Sequence, residues 1–221
     1  MIKQKDIFKS TEGNQWYTRN KKAYTEKKNK SDIIVDILRD IEITPKKVLE
    51  IGSANGSRLN KITNVFNCKG FGIDPSEKAI KEGKKIFPNL NLLVATVDDI
   101  PFDDNYFDLI IFGFYLYLCD RDDLFKKAYE ADRCLCNEGV LIIKAFYPPF
   151  PYKNNYIYCK NVFSYKMDYS KMFKWNPLYH EIYKVVFTHS GYPLREIPNE
   201  RIFVTILRKN EKYAYPLETF G

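Results

Sequence analysis

The stretch Glu50-Ile51-Gly52-Ser53-Ala54-Asn55-Gly56 has the residue types and spacing to hold a ligand. Gly52 allows a sharp turn, and Ala54 and Gly56 keep the backbone bare enough for close approach. Glu50, just ahead of the first glycine, would repel a pyrophosphate. The dinucleotide spacing G-x-G-x-x-G also fails, because its third glycine would fall at Ser57. A carboxylate there suits a cation or an amine. About twenty residues on stands Asp74, at the end of the next apolar run, where a carboxylate accepts hydrogen bonds from two ribose hydroxyls. The same residue is placed to cap the helix that follows.

These residues need a sheet to hold them. Val48, Leu49 and Ile51 read as a buried strand, and Leu59, Ile62, Val65 and Phe66 as one face of a helix over 57–66. Further strands are predicted over 70–73, 91–97, 109–112 and 140–146, with helices over 76–87 and 120–135 and a turn at Asn137-Glu138-Gly139. Ser31-Asp32 starts an earlier helix with an apolar stripe from Ile33 to Ile41. Strand and helix alternate as in an open, mostly parallel sheet, whose ligands bind at the carboxyl ends of the strands. Gly13-Asn14 is a turn signal, and residues 1–30 form a flap that carries Trp16 and Arg19 back toward the ligand. The indole of Trp16 either faces the ligand, adding about 0.5–2 kcal/mol of cation–π attraction, or packs on the sheet.

Glu50 to Gly56, followed by Asp74, resembles the class I S-adenosylmethionine-dependent methyltransferases. Their first motif is an acid, an apolar residue and G-x-G-x-G; here Ala54 fills the middle slot. The run Asp98-Asp99-Ile100-Pro101-Phe102-Asp103-Asp104-Asn105-Tyr106-Phe107-Asp108 resembles the family segment D-A-x-x-L-P-F-x-D-x-S-F-D, with Thr96 in place of the first Asp. The resemblance implies a Rossmann-like, doubly wound α/β fold: seven strands, mostly parallel with a terminal antiparallel strand, and helices on both faces. The last pair would be 181–189 and 201–208. The implied cofactor is S-adenosyl-L-methionine, with S-adenosyl-L-homocysteine as product. Its implied ligands are Glu50, Gly52, Ser53, Ala54, Asn55, Gly56, Asp74 and Pro75, then Phe112 and Gly113 at the fourth strand end, with Trp16 and Arg19 from the flap. The adenine amine falls to Thr96 or Asp98, and its ring nitrogen to the Val97 N–H.

The fourth strand end carries Gly113-Phe114-Tyr115 rather than the D/N-P-P-Y/F of amine-methylating relatives. Pro148-Pro149-Phe150 comes one strand later and reads as a rigid turn. Ten of the 17 tyrosines follow residue 148, so 148–180, and 156–179 above all, is expected to be an aromatic lid walling the acceptor pocket. Tyr115 and Tyr117 are candidates to orient the acceptor, and His180, beside that lid, is the candidate base. The longer run from Glu12-Gly13-Asn14-Gln15-Trp16-Tyr17 to Tyr165-Lys166-Met167-Asp168-Tyr169-Ser170-Lys171-Met172 resembles bacterial methyltransferases of cell-surface polysaccharide and small-molecule biosynthesis. It implies a sugar- or phosphate-bearing acceptor, while the single compact domain, the aromatic lid and the missing amine motif point to transfer onto oxygen.

At 221 residues the chain fits one domain: flap 1–30, donor-binding core 31–147, lid 148–180 and a final strand pair over 181–210. No apolar run approaches the ~20 residues of a membrane span, and the N-terminus lacks a signal-peptide core. Five cysteines without C-x-x-C pairs indicate reduced thiols, a cytoplasmic setting and no metal site. The net charge of +7, much of it in the first thirty residues, suits an anionic small molecule. It also supports a competing RNA or protein methyltransferase. A non-catalytic S-adenosylmethionine-binding protein is the third class.

Overall fold

The computed structural model describes residues 3–26, 31–188 and 200–217. Its strands are β1 (Lys47–Ile51), β2 (Lys69–Asp74), β3 (Asn91–Val94), β4 (Phe107–Gly113), β5 (Leu135–Phe146), β6 (Tyr152–Asn155), β7 (Phe163–Lys166), β8 (Tyr179–Thr188) and β9 (Arg201–Lys209). Seven of them form one sheet in the order β3-β2-β1-β4-β5-β9-β8. Pairings from β3 to β5 are parallel, whereas β9 runs antiparallel to both β5 and β8. This is the Rossmann-like sheet that the family resemblance implied, and the open, mostly parallel arrangement expected from the alternation of strand and helix. The order reverses between β1 and β4, which opens a crevice at their carboxyl ends.

Alternation along the central strands explains the two cores. Leu49, Ile51, Ile110 and Phe112 pack on one face, while Val48, Leu109 and Ile111 pack on the other. Each side chain buried in this way contributes about 1.5–3 kcal/mol. The helices α3 (Ile33–Asp40), α4 (Ser57–Phe66) and α5 (Glu77–Ile86) bring their apolar faces to the second core through Leu38, Ile62 and Ile80. Helix α6 (Leu124–Cys134) closes the first.

Several boundaries differ from the sequence expectation. Strand β3 ends at Val94, because beyond Ala95 the chain leaves the sheet and turns, Asp99 N–H bonding the Thr96 carbonyl. Strand β5 starts at Leu135 and takes in the expected turn at 137–139, through a register shift opposite Phe107 and Leu109. The N-terminal segment is helical. It comprises α1 (Gln4–Ile7), a π-helical turn (Phe8–Glu12) and α2 (Gly13–Glu26), so Gly13-Asn14 is no turn. Gly13 has helical dihedrals (φ −54°, ψ −47°). A Cβ on it would lie 2.6 Å from the Phe8 carbonyl oxygen, so the glycine serves the close approach of the π-helical turn to the start of α2.

This helical segment is pinned across the carboxyl edge of the sheet. Asp120 accepts the backbone N–H groups of Gln4 and Lys5 at 2.8 and 3.0 Å. Asn14 Oδ1 accepts from the Ser76 hydroxyl and the Lys78 N–H at 2.9 and 3.0 Å. Residues 148–180 hold the β6–β7 hairpin and α7 (Lys171–Lys174). Gln4 joins that hairpin to the N-terminal segment through both its amide atoms and Phe163.

Candidate functional site

A cavity of about 650 Å³ opens at the carboxyl ends of β1, β2, β4 and β5. Its floor begins at Gly52, which turns out of β1 with φ +72° while its N–H bonds the Ile73 carbonyl. Ala54 also takes a positive φ (+49°), and Gly56 caps α4 at +79°. Asp74 stiffens this turn by accepting the Ala54 N–H at 2.9 Å and the Ser76 N–H at 2.8 Å. Ser76, not Asp74, caps α5, accepting from the Ala79 N–H. Each Asp74 oxygen keeps acceptor capacity toward the cavity it lines. Burial pushes its carboxyl up to about 6, against the pull of the two backbone N–H groups.

Beside the turn, Glu50 Oε1 accepts from Arg58 Nη1 at 2.6 Å, and Arg58 Nε reaches Asp32 Oδ2 at 3.0 Å. Gly113 makes room for this guanidinium, since a Cβ there would stand 2.2 Å from Arg58 Nη1. Burial raises Glu50 to about 7, with Arg58 opposing and Asp32 adding to the rise. Glu50 Oε2 and Ser53 Oγ are buried polar atoms without a hydrogen-bond partner among the described residues. An orphaned carboxylate oxygen in the wall of a cavity marks where a donor from a ligand would be satisfied, and the Ser53 hydroxyl beside it can donate or accept.

Ten of the sequence candidates line the cavity together: Trp16, Glu50, Gly52, Ser53, Asp74, Pro75, Thr96, Gly113, Tyr115 and Tyr117. The Tyr115 ring lies against Gly52, whose Cβ would meet it at 2.8 Å, and its hydroxyl lies at the Val97 backbone. Tyr117 takes a hydrogen bond from the Trp16 indole, and burial pushes its phenol up to about 12. Both phenols therefore stay protonated at neutral pH.

Other candidates stand back from the cavity wall. Ala54, Asn55 and Gly56 shape the turn from behind it, Asn55 Oδ1 accepting the Ser57 N–H. Phe112 is buried against Phe173, and the Val97 side chain is fully buried. Asp98 is tied to Lys127 at 2.5 Å; burial works against its charge, but Lys127 holds the carboxyl below its usual range. Thr96 hydrogen-bonds Asp98 and lines the cavity. Arg19 turns away to Glu12 and Tyr156 and lies 4.0 Å from the Tyr158 ring centre.

Two expectations need correction. His180 is exposed and pairs with Arg208, whereas Thr188 at the opposite end of β8 lines the cavity. Eight residues of extended strand put His180 about 27 Å from that end, too far for a base. His189 lies outside the described residues. The 148–180 segment also supplies none of the cavity-lining residues among those described; Lys5, Phe8, Gly13, Trp16 and Asn20 roof the cavity instead. The segment backs this roof through Tyr156, whose hydroxyl donates to Glu12 at 2.8 Å.

Sequence reasoning missed the cations Arg58, Lys61 and Lys144 in the wall. One signal was available for the first two. Spaced i, i+3 on α4, they flank the buried Leu59 and Ile62 and share the face turned to the glycine loop.

Residues 49–143 match the family described as a methyltransferase domain. A ubiquinone/menaquinone biosynthesis C-methyltransferase, UbiE, of Rickettsia bellii is 27% identical over 122 residues, covering 50% of this chain. The chain spans about half the length of that curated relative, 48%. Among solved structures, the Burkholderia thailandensis 1,6-didemethyltoxoflavin N1-methyltransferase, with bound 1,6-didemethyltoxoflavin and S-adenosylhomocysteine, superposes with a TM-score of 0.67 at 13% identity. The match covers 94% of this chain and 87% of that one. The N-methyltransferase NodS of Bradyrhizobium japonicum, with S-adenosylhomocysteine, gives 0.62 at 16% identity, covering 86% of this chain and 87% of its own. Among the described residues no helix is long and apolar enough to cross a membrane, and no group of three or more metal-ligating side chains occurs.

Proposed function

We propose that this chain, which carries a class I S-adenosylmethionine-dependent methyltransferase domain, transfers a methyl group in the cytoplasm to an oxygen of a small sugar- or phosphate-bearing acceptor. The observation that carries the donor half is the cavity floor itself. Glu50 Oε2 can take a donor group, the Ser53 hydroxyl can donate or accept, Asp74 lines the cavity with acceptor capacity, and Gly52 and Gly113 leave the backbone bare between them. A ligand with an ammonium and carboxylate at one end and a ribose at the other fits that order of groups. Glu50 would hold the ammonium, Arg58 the carboxylate, Asp74 the ribose hydroxyls, and Pro75 with Thr96 the base.

When bound, S-adenosylmethionine supplies an activated methyl on a sulfonium, so the protein's own part is positioning and exclusion of water. Alignment of the two reactants supplies about 7–11 kcal/mol of the barrier. Tyr115 and Tyr117, protonated at neutral pH, orient an acceptor by hydrogen bonding rather than by taking its proton. Trp16 and Phe8 cover the cavity from above and shield the reacting atoms from water.

The acceptor reading draws on the absence of an amine-binding motif at Gly113-Phe114-Tyr115 and on the cations of the wall. Calorimetry with S-adenosylhomocysteine tests the donor half. Turnover with labelled donor against sugars, nucleotide sugars, phosphate esters, a quinone precursor of the kind made by the Rickettsia relative's pathway, and total RNA tests the acceptor half. Donor binding with turnover on RNA alone would replace the small-molecule reading, and donor binding with no turnover on any of them would leave a binding protein.

A further inference from the structure

The cavity is larger than the donor's row of ligands. Asp74, Pro75 and Thr96 lie at the ends of β2 and β3, and the donor's amino acid end reaches Glu50 and Gly113 at the ends of β1 and β4. Beyond Gly113 the cavity continues along β5, β9 and β8, lined there by Lys144, Phe146, Phe187, Thr188 and Ile202, and Lys61 of α4 lines the same cavity. Register fixes this neighbourhood: Gly113 pairs with Lys144, and Phe146 with Ile202, which in turn pairs with Phe187.

The chemistry of this half is distinct. Lys144 is half-buried, and its Nζ stands 5.6 Å from the Phe114 ring centre and 5.9 Å from that of Phe187, so two rings flank the charge. A cation so placed acts through a lower effective dielectric, and its attraction for an anion is stronger than at an exposed site. Its charge is felt across the cavity, since Lys144 together with Arg58 stabilises the Asp32 carboxylate against burial. Arg58 is bonded to Glu50 and Asp32, and Lys144 sits on β5 opposite Gly113, on the side of β4 away from Glu50. The bound donor adds the positive charge of its sulfonium to the same enclosed space, which an anionic acceptor would offset and a cationic one would aggravate.

Resting on the donor reading above, we infer that Lys61 and Lys144 bind an acid group of the acceptor, a carboxylate or a phosphate ester, while Phe146, Phe187 and Ile202 hold the ring or apolar body that carries it. The acid docks at the β5–β8 end, and the nucleophilic atom then points back over Gly113 toward the donor's methyl. This makes the two lysines specificity-determining residues, apart from the groups that bind the donor.

The probes are phenyl phosphate, benzoate and neutral phenol, titrated by calorimetry into the full chain saturated with S-adenosylhomocysteine. At least one of the two anions should bind saturably, about tenfold or more tighter than phenol. Binding should weaken about tenfold or more in the Lys61→Gln/Lys144→Gln variant, and Lys144→Arg should retain it. The affinity of each variant for S-adenosylhomocysteine, which also reports folding, should stay within about twofold of the parent. Equal binding of phenol and the anions, no saturable anion binding, or anion binding unchanged in the glutamine variant would each overturn the assignment. A parent chain that failed to bind S-adenosylhomocysteine would instead defeat the donor reading, so the two failures are told apart.

Discussion

Glu50 and Arg58 meet at 2.6 Å under the bare edge of Gly113, with the second carboxylate oxygen of Glu50 left without a partner. Opposite charges at this spacing complement the ammonium and carboxylate of an α-amino acid, provided that both are brought out of water together. The pair is buried, and removing charges from water costs several kcal/mol unless all their hydrogen-bonding capacity is met. Without the donor the site is therefore under-satisfied, and Glu50 relieves this by holding a proton to unusually high pH.

A proton-linked binding event follows. The Glu50 carboxyl is raised from 4.5 to about 7 by burial. The folded free protein thus binds a proton that the unfolded chain has lost, and its stability falls as pH rises between those values. An ammonium placed against Glu50 favours the ionised form, so S-adenosylhomocysteine should expel protons on binding near neutral pH, and its affinity should rise with pH through about 7. Calorimetry in buffers of differing ionisation enthalpy measures the release. Glu50→Gln should abolish it, and a binding enthalpy independent of buffer in the parent chain would refute the placement of the ammonium.

Asp74 separates a ribose-binding role from a purely architectural one. Its carboxylate takes the Ala54 and Ser76 N–H groups, and Asn in its place keeps one oxygen and loses the charge. A lost charge-assisted pair of hydrogen bonds to the ribose costs roughly 1.5–3 kcal/mol, so Asp74→Asn should weaken S-adenosylhomocysteine about tenfold or more. Methylthioadenosine, which has the ribose but no amino acid end, should weaken by the same factor. If both affinities held while the melting temperature dropped, Asp74 would be a brace for the turn alone.

How far the sequence told this depends on the distance between cooperating residues. Lys47 to Gly56 was legible because strand, turn and helix are consecutive and each leaves a local pattern. Asp74 was legible because one βα unit sets its spacing from Gly52. Lys144 and Phe187 were not, since only the strand order β4-β5-β9-β8 brings them beside Gly113. The same order carries His180 away, because β8 runs through eight pairings with β9 from His180 to Thr188 at the cavity. The N-terminal roof was legible as a covering segment but not as helix. What fixes it are Gln4 and Asn14, single polar side chains whose partners at Phe163 and Ser76 lie far along the chain. The 148–180 segment, rich in tyrosine, was expected at the cavity wall. Its tyrosines instead reach the roof and the α6 side, as when Tyr169 meets Arg121 at 2.9 Å.

The Lys127–Asp98 pair tests what holds the base-binding end together. Lys127 is 1% exposed and its amine touches Asp98 at 2.5 Å, with Lys5 further off at 3.7 Å. Removing one member of a buried pair strands the other, so Lys127→Met should destabilise the fold by about 3 kcal/mol. The double variant Lys127→Met/Asp98→Leu should recover most of that loss, because apolar packing replaces both charges. Urea midpoints of the parent, single and double variants decide. A single variant as stable as the parent would show that Lys5 alone suffices for Asp98.

The roof is latched from behind through the Tyr156 phenol, in addition to the Gln4, Asn14 and Asp120 contacts that pin it elsewhere. Glu12 ends the π-helical turn and is 1% exposed, with Oε2 unpartnered while Oε1 accepts from the Tyr156 hydroxyl at 2.8 Å. Arg19 bonds both Glu12 and Tyr156, so three residues clasp the N-terminal helices to the segment after β5. Tyr156→Phe removes one of the hydrogen bonds that compensate a buried carboxylate, at a cost of about 1–3 kcal/mol, and the loss falls on the roof rather than on the sheet. Amide exchange over residues 4–22 should therefore quicken while β1, β4 and β5 keep their protection. S-adenosylhomocysteine should dissociate about tenfold faster, since Trp16 and Phe8 cover it only while the latch holds. Faster exchange spread evenly over the whole chain would mean that Tyr156 supports global stability, and no change in release would mean that the roof opens independently of its latch.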